Sequence, residues 1–159
     1  MFLWFFGLNV GKPSLERSCG RFLFFTFVQN PIDIMNIQAG ITASKEHMVS
    51  KDDTALAHGS GTVEVLATPA LIALMENTAD RSVQASLPQG HITVGTEIHI
   101  RHIKATLIGG LLKISSRLTQ VEGKKLQFEL EAHDENGKIG FGTHTRYVVE
   151  EESFLGGAV

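Results

Sequence analysis

Three polar side chains stand among apolar neighbours between Leu66 and His102, in LATPALIALMENTADRSVQASLPQGHITVGTEIHIRH. They are the hydroxyl of Thr68, the carboxylate of Glu76 and the imidazole of His102. Burying such groups costs free energy unless each is paired, so their placement needs a reason. A threonine hydroxyl is a weak nucleophile until a base activates it, and Glu76 and His102 are the bases on offer. Imidazole titrates near neutrality, so His102 can both accept and return a proton. Each residue also has a plainer reading. Threonine before proline is often only a helix cap, Glu76 can mark a partly exposed strip, and a lone histidine is often a satisfied core or rim residue.

The elements that carry these groups are legible. Thr68 can cap a helix, and Pro69 suits its first turn, where the missing N–H has no helical partner anyway. Leu71, Leu74, Met75, Thr78 and Ala79 recur at helical spacing, and Ile72 and Val83 widen the stripe. So wide an apolar band predicts a helix covered on most sides, ended by Pro88 and Gly90. Thr68 and Glu76 are eight residues apart on it, so their backbones lie about 12 Å apart at about 1.5 Å per residue. They are then too distant to bond each other directly. Substrate or water must span the gap, or a two-fold dimer must bring one chain's helix to the other's strand.

A strand is predicted from His91 to Lys104. Strict alternation puts Ile92, Val94, Thr96, Ile98, Ile100 and His102 on one face, and His91, Thr93, Gly95, Glu97, His99 and Arg101 on the other. His102 thus ends the apolar row. His91, His99 and His102 make a poor metal set, because residues three apart on a strand face opposite sides and no cysteine or HExxH motif supports them. No metal is expected.

The remaining pattern is antiparallel sheet. Leu112, Ile114, Ser116 and Leu118 alternate, VEGKK turns, and Leu126, Phe128, Leu130 and Ala132 alternate again with polar residues between them. DENGK supplies an Asn-Gly hairpin turn. A last strand runs from Lys138 to Glu150, where Gly140 and Gly142 suggest a bulge or a close backbone approach. An early strand is expected over Thr62–Leu66. The fold class is therefore α+β, one long helix lying on an antiparallel sheet of about five strands. GSG at Gly59 and GFG at Gly140 do not extend to GxGxxG, so a dinucleotide loop is not supported.

The chain has 159 residues, a single-domain length, with 43% hydrophobic and 19% charged residues. A net charge of −3 gives no general case for nucleic acid. The single cysteine, Cys19, excludes an intramolecular disulfide framework and fits a reducing cytoplasm. Residues 1–34 hold most of the phenylalanines and the only tryptophan, in runs too short to span a bilayer and without a signal-peptide pattern. They are expected to be a disordered or spurious extension ahead of Met35, with an export or anchoring segment as the alternative. The domain is then 35–150, followed by a tail over 151–159, and no membrane partner is expected.

Three runs taken in order, ATPALIALME, VGTEIHIRH and VEGKKLQFELEAHDENGKIGFGTHTR, resemble the fluoroacetyl-CoA thioesterase-like branch of the hot-dog fold superfamily. The resemblance spans roughly Ile41 to Val149. It implies a hot-dog domain that hydrolyses a small or medium acyl-CoA to free acid and CoA. The family's catalytic threonine, glutamate and histidine fall on Thr68, Glu76 and His102, and its site-lining glycine falls on Gly95. Coenzyme A enters as part of the substrate, so no separate cofactor is expected, and a homodimer with sites at its seam is implied. The carbonyl would sit at the helix start, where the N–H of Ala70 or Leu71 and the Gly95 region could hold an oxyanion. The final GTH-x-R, Gly142 to Arg146, matches as well, with no role assigned.

One departure matters. The fluoroacetate-specific enzyme carries lid phenylalanines before this helix, whereas here AHGSGTVEV leaves no aromatic between Ala57 and Ala67. The resemblance then supports thioester hydrolysis as a class rather than a fluorinated substrate. Two rivals share the fold. A non-catalytic acyl-CoA or acyl-ligand binding module would bind without releasing thiol. A hydratase or dehydratase would carry an Asp and a His on a loop-helix element.

Overall fold

A computed structural model describes residues 37–157. The expectations for residues 1–34 and for the last two residues of the tail lie outside the described residues. Within them the chain forms β1 (Thr42–Met48), α1 (Thr68–Val83), β2 (His91–His102), β3 (Leu111–Glu122), β4 (Lys125–Asp134), β5 (Gly137–Glu150) and α2 (Glu151–Gly156). The five strands make one antiparallel sheet in the order β1-β3-β4-β5-β2, and α1 packs across it, chiefly on β3.

The core lies between helix and sheet. Leu71, Met75, Ala79 and Val83 recur every four residues down one side of α1 and are fully buried. They meet Leu112, Ile114 and Leu118 of β3 and Leu126, Phe128 and Leu130 of β4 within one apolar cluster. Each large side chain removed from water contributes about 1.5–3 kcal/mol, so this row fixes how α1 lies on the sheet. The buried polar groups here are satisfied. Thr78 Oγ1 donates to the Leu74 carbonyl, and Ser116 Oγ donates to the Thr78 carbonyl.

Several sequence expectations need correction. Thr62–Leu66 is not a strand; it contributes only isolated bridges, Thr54 with Leu66 and Val65 with Leu107. The fifth strand is β1 instead. Its sequence, TASKEHM, shows no apolar alternation because it is a mostly exposed edge strand. Helix α1 ends at Val83 and runs into a single 3₁₀ turn, Gln84–Ser86, before Pro88. Strand β2 ends at His102 rather than Lys104. The expected tail begins with the short helix α2.

Gly140 and Gly142 serve close approach. A Cβ on Gly142 would collide with the His99 carbonyl, and one on Gly140 would stand 2.9 Å from Leu71 Cδ2. Strand β2, on the sheet edge, is thereby drawn tightly onto β5.

The β2–β5 ladder carries the decisive irregularity. Gly95 pairs with Arg146 but Glu97 pairs with Thr145, so Thr96 is an extra, bulged residue. One extra residue reverses which side chains face the helix. Thr93 and Gly95 face α1 before the bulge, and Ile98, Ile100 and His102 sit on that side after it. The unbroken alternation expected from the sequence placed Gly95 opposite His102; the bulge puts them on one face.

Candidate active site

Thr68 is the first residue of α1, and its side chain does not cap the helix. Ala67 holds the cap position without a side-chain bond. The Thr68 hydroxyl instead meets His102 Nδ1 at 3.1 Å. His102 Nε2 is buried without a hydrogen-bond partner among the described residues. Burial pushes the imidazole below its ordinary value, and the Lys104 backbone partly offsets this. A neutral ring with its proton on Nε2 leaves Nδ1 free to accept from the Thr68 hydroxyl. That is the geometry of a nucleophile held by its base.

The helix start offers donors beside this pair. The Ala67 N–H is taken by the Asp53 carbonyl and the Leu71 N–H by the Ala67 carbonyl. Leu71 is thus removed as an oxyanion donor. Ala70 and Thr68 keep backbone N–H groups without an acceptor among the described residues, where the helix dipole is positive.

Glu76 lies two turns further along α1, away from Thr68 and His102 within one chain. Its side chain is 37% exposed and makes no hydrogen bond among the described residues. It faces Gly95 so closely that a Cβ there would stand 2.8 Å from Oε1. Beneath it lies a buried polar cluster. His144 Nδ1 bonds the Glu97 carbonyl at 2.8 Å, which fixes the proton on Nδ1. Arg146 spends Nε on Thr93 Oγ1, Nη2 on Asp80 and on the Thr93 carbonyl, and Nη1 on His144 Nε2. Thr93 Oγ1 donates in turn to Asp80.

The contact between His144 Nε2 and Glu76 Oε1, at 3.5 Å, is therefore not an ion pair. Arg146 Nη1, at 3.2 Å, needs a lone pair on Nε2, and only a neutral imidazole has one. Burial is the main reason this imidazole stays neutral, holding it below the ordinary value; the Glu97 carbonyl opposes that and the Arg146 charge reinforces it.

Sequence reasoning missed Asp80, Thr93, His144 and Arg146 as parts of the site. The signal was present in GTHTR. His144 and Arg146 are two apart on β5, on the same face as buried Val148, so both had to point inward.

An open cleft of about 440 Å³ adjoins Thr68 and His102, walled by small or short side chains including Ala55, Ser60, Val65 and Ala105. Lys104 also lines this cleft, held by Asp134 at 3.0 Å. A larger trough of about 1170 Å³ is lined by Arg101, Lys113, Arg117, Glu129 and Glu131. It contains none of Thr68, Glu76 or His102, and its lining mixes both charge signs, so the smaller cleft is the candidate site.

The chain is similar to known thioesterases. The family described as Fluoroacetyl-CoA-specific thioesterase (FlK) matches residues 49–152. The fluoroacetyl-CoA thioesterase of Streptantibioticus cattleyicolor is 37% identical over 91 residues, which is 57% of this chain and 66% of that protein, just under two thirds of its length. A solved structure of the fluoroacetyl-CoA thioesterase FlK superposes with a TM-score of 0.73 at 29% identity, covering 77% of this chain and 95% of the other. A thioesterase superfamily member from Thermus thermophilus, at 23% identity and a TM-score of 0.70 over 76% and 89% of the two chains, shares the fold.

Proposed function

The chain belongs to the fluoroacetyl-CoA-specific thioesterase family, and from that premise we propose that it hydrolyses acyl-CoA thioesters to free acid and CoA. Thr68, Glu76 and His102 are the proposed catalytic groups, with Gly95 lining the site. The observation that carries the reading is the 3.1 Å contact between Thr68 Oγ1 and His102 Nδ1 at the mouth of a cleft.

In this reading the thioester carbonyl sits at the start of α1, where the Ala70 N–H faces the developing oxyanion. Thr68 Oγ attacks the carbonyl carbon as its proton passes to His102 Nδ1. The C–S bond breaks, and the thiolate of CoA leaves with that proton. Water then attacks the acyl-threonine, giving one proton to Glu76; the bond from the acyl carbon to Thr68 Oγ breaks, that proton passes from Glu76 to Thr68 Oγ, and the acid leaves with Glu76 again a carboxylate.

Glu76 is about 12 Å along the helix from Thr68, by about 1.5 Å per residue, and cannot reach that water from within the same chain. A homodimer resolves this. Strand β2 lies at an edge of the sheet with one side unpaired. A two-fold axis crossing that edge near Ile98 would set the Thr68–His102 pair of one copy beside the Gly95–Glu76 pair of the other. No nucleic-acid partner is proposed. The lone cysteine accords with a cytoplasmic location, and no helix among the described residues is long and apolar enough to cross a membrane.

The cleft walls are short, and the segment before α1 has no aromatic to cover an acyl group. The substrates proposed are therefore small or medium acyl-CoAs without preference for a fluorinated one. A thiol-reactive dye follows CoA release from acetyl-, fluoroacetyl-, butyryl- and hexanoyl-CoA. Hydrolysis of one or more, without strong fluoroacetyl preference, supports the reading; tight binding with no thiol release overturns it in favour of a binding module.

A further inference from the structure

We propose that His144 and Arg146 are positioning residues that leave the acceptors of the Glu76 carboxylate open, instead of letting it close into an internal salt bridge. The catalytic meaning of this rests on the thioesterase reading; the proton arrangement does not.

Four observations combine. His144 is 2% exposed, and its Nδ1–H is committed to the Glu97 carbonyl, so only Nε2 faces Glu76. Nε2 is already an acceptor for Arg146 Nη1 and has no hydrogen to give the carboxylate. Arg146 cannot swing away, because Thr93 and Asp80 hold its other nitrogens at 2.8 Å. Glu76 is left near a fixed positive charge and beside a hydrogen-free imidazole nitrogen, with its remaining surface open to solvent and to the Gly95 side.

Without Arg146 the same residues would behave differently. A freed Nε2 would take up a proton and donate it to Glu76 Oε1, already 3.5 Å away. The base would then be consumed inside the protein. Every charged or titratable group packed against Glu76 enters this balance. Among the described residues, Asp80 lies on its own helix and His144 and Arg146 on β5, while β2 contributes the uncharged Gly95.

The test uses the full-length protein with its histidines labelled with ¹⁵N. In the wild type at neutral pH, His144 Nε2 is expected to be unprotonated and Nδ1 protonated. Arg146→Gln is expected to raise the midpoint of the His144 titration, and Asp80→Asn to lower it, because the first removes a neighbouring cation and the second a neighbouring anion. A merely structural role predicts otherwise: loosened packing wets the ring and raises the midpoint in both variants.

For turnover, Arg146→Gln is expected to lower kcat about tenfold or more with KM held within about twofold, and Arg146→Lys to recover part of it. An Nε2 protonated at neutral pH in the wild type, or midpoints moving upward in both variants, overturns the inference. Should Arg146→Gln fail to fold, the wild-type spectrum and Asp80→Asn still decide. A protein that releases no thiol but shows the expected proton arrangement overturns the thioesterase reading and upholds the arrangement.

Discussion

Thr68 opens α1, His102 closes β2, and a 3.1 Å contact joins them across 34 residues of sequence. Ala67 holds the cap position, so the Thr68 hydroxyl is not spent on the helix end and is turned to an imidazole whose other nitrogen is buried.

Removing either partner should therefore cost activity far more than stability. Thr68 is exposed and caps nothing, so Thr68→Ala is expected to change unfolding free energy by no more than about 0.5 kcal/mol. Loss of the hydroxyl or of the base should lower kcat/KM by ~10²–10⁴-fold in Thr68→Ala and His102→Ala. Thr68→Ser should restore most of it. Thiol-release kinetics and urea unfolding measure the two effects; wild-type turnover in both variants would end the proposed mechanism.

Gly95→Ala tests the Glu76 side. The new methyl would meet Glu76 Oε1 at 2.8 Å and His144 Cε1 at 3.0 Å. His144 is locked, so the half-exposed carboxylate must move. Displacement of a base by about 1 Å can cost about 10²-fold, and a loss of that order in kcat is expected with the fold retained in circular dichroism.

Stability should fall in two steps on acidification. His102 and His144 lie below the ordinary histidine value of 6.5, mainly because burial disfavours their charged forms. The unfolded chain then binds protons first, so their contribution is present above 6.5 and is lost as pH falls through their folded values. For Asp134, burial acts to raise the value, but the bonds from Lys104, Asn136 and Thr106 outweigh it and hold the carboxyl below 3.8. Asp53 behaves alike, with Ser50 and His47 outweighing burial. These carboxylates contribute above 3.8 and fail only as pH drops through their lower folded values. Urea midpoints across pH 3–8 (roughly the window set by the reference values) should show one decline starting near 6.5 and a second below 3.8.

Asp134 also pins the segment after β2 that walls the cleft. It binds Lys104 Nζ at 3.0 Å and Thr106 Oγ1 at 3.1 Å from a side chain only 4% exposed. Asp134→Ala strands these partners and is expected to cost about 2 kcal/mol, within the usual range for unsatisfied buried polar groups. KM for acyl-CoA should rise as Lys104 loses its anchor. An unchanged unfolding midpoint would show that this ion pair holds nothing.

The sequence alone determined the α+β layers, the long helix from Thr68, the strand that carries His102 and the Asn-Gly hairpin. Each depends on local periodicity and turn chemistry, which short windows of residues carry. The identity of β1 was not legible, because an exposed edge strand such as TASKEHM needs no apolar alternation. Tertiary structure decided which groups meet. A single bulged residue, Thr96, turns Gly95 and His102 to the same face, and strict alternation cannot foresee it. Packing of α1 on β3 turns Thr68 from helix cap to partner of His102. It also stacks Asp80, Arg146 and His144 under Glu76, a set assembled by contacts between residues up to 68 positions apart, which no local pattern encodes.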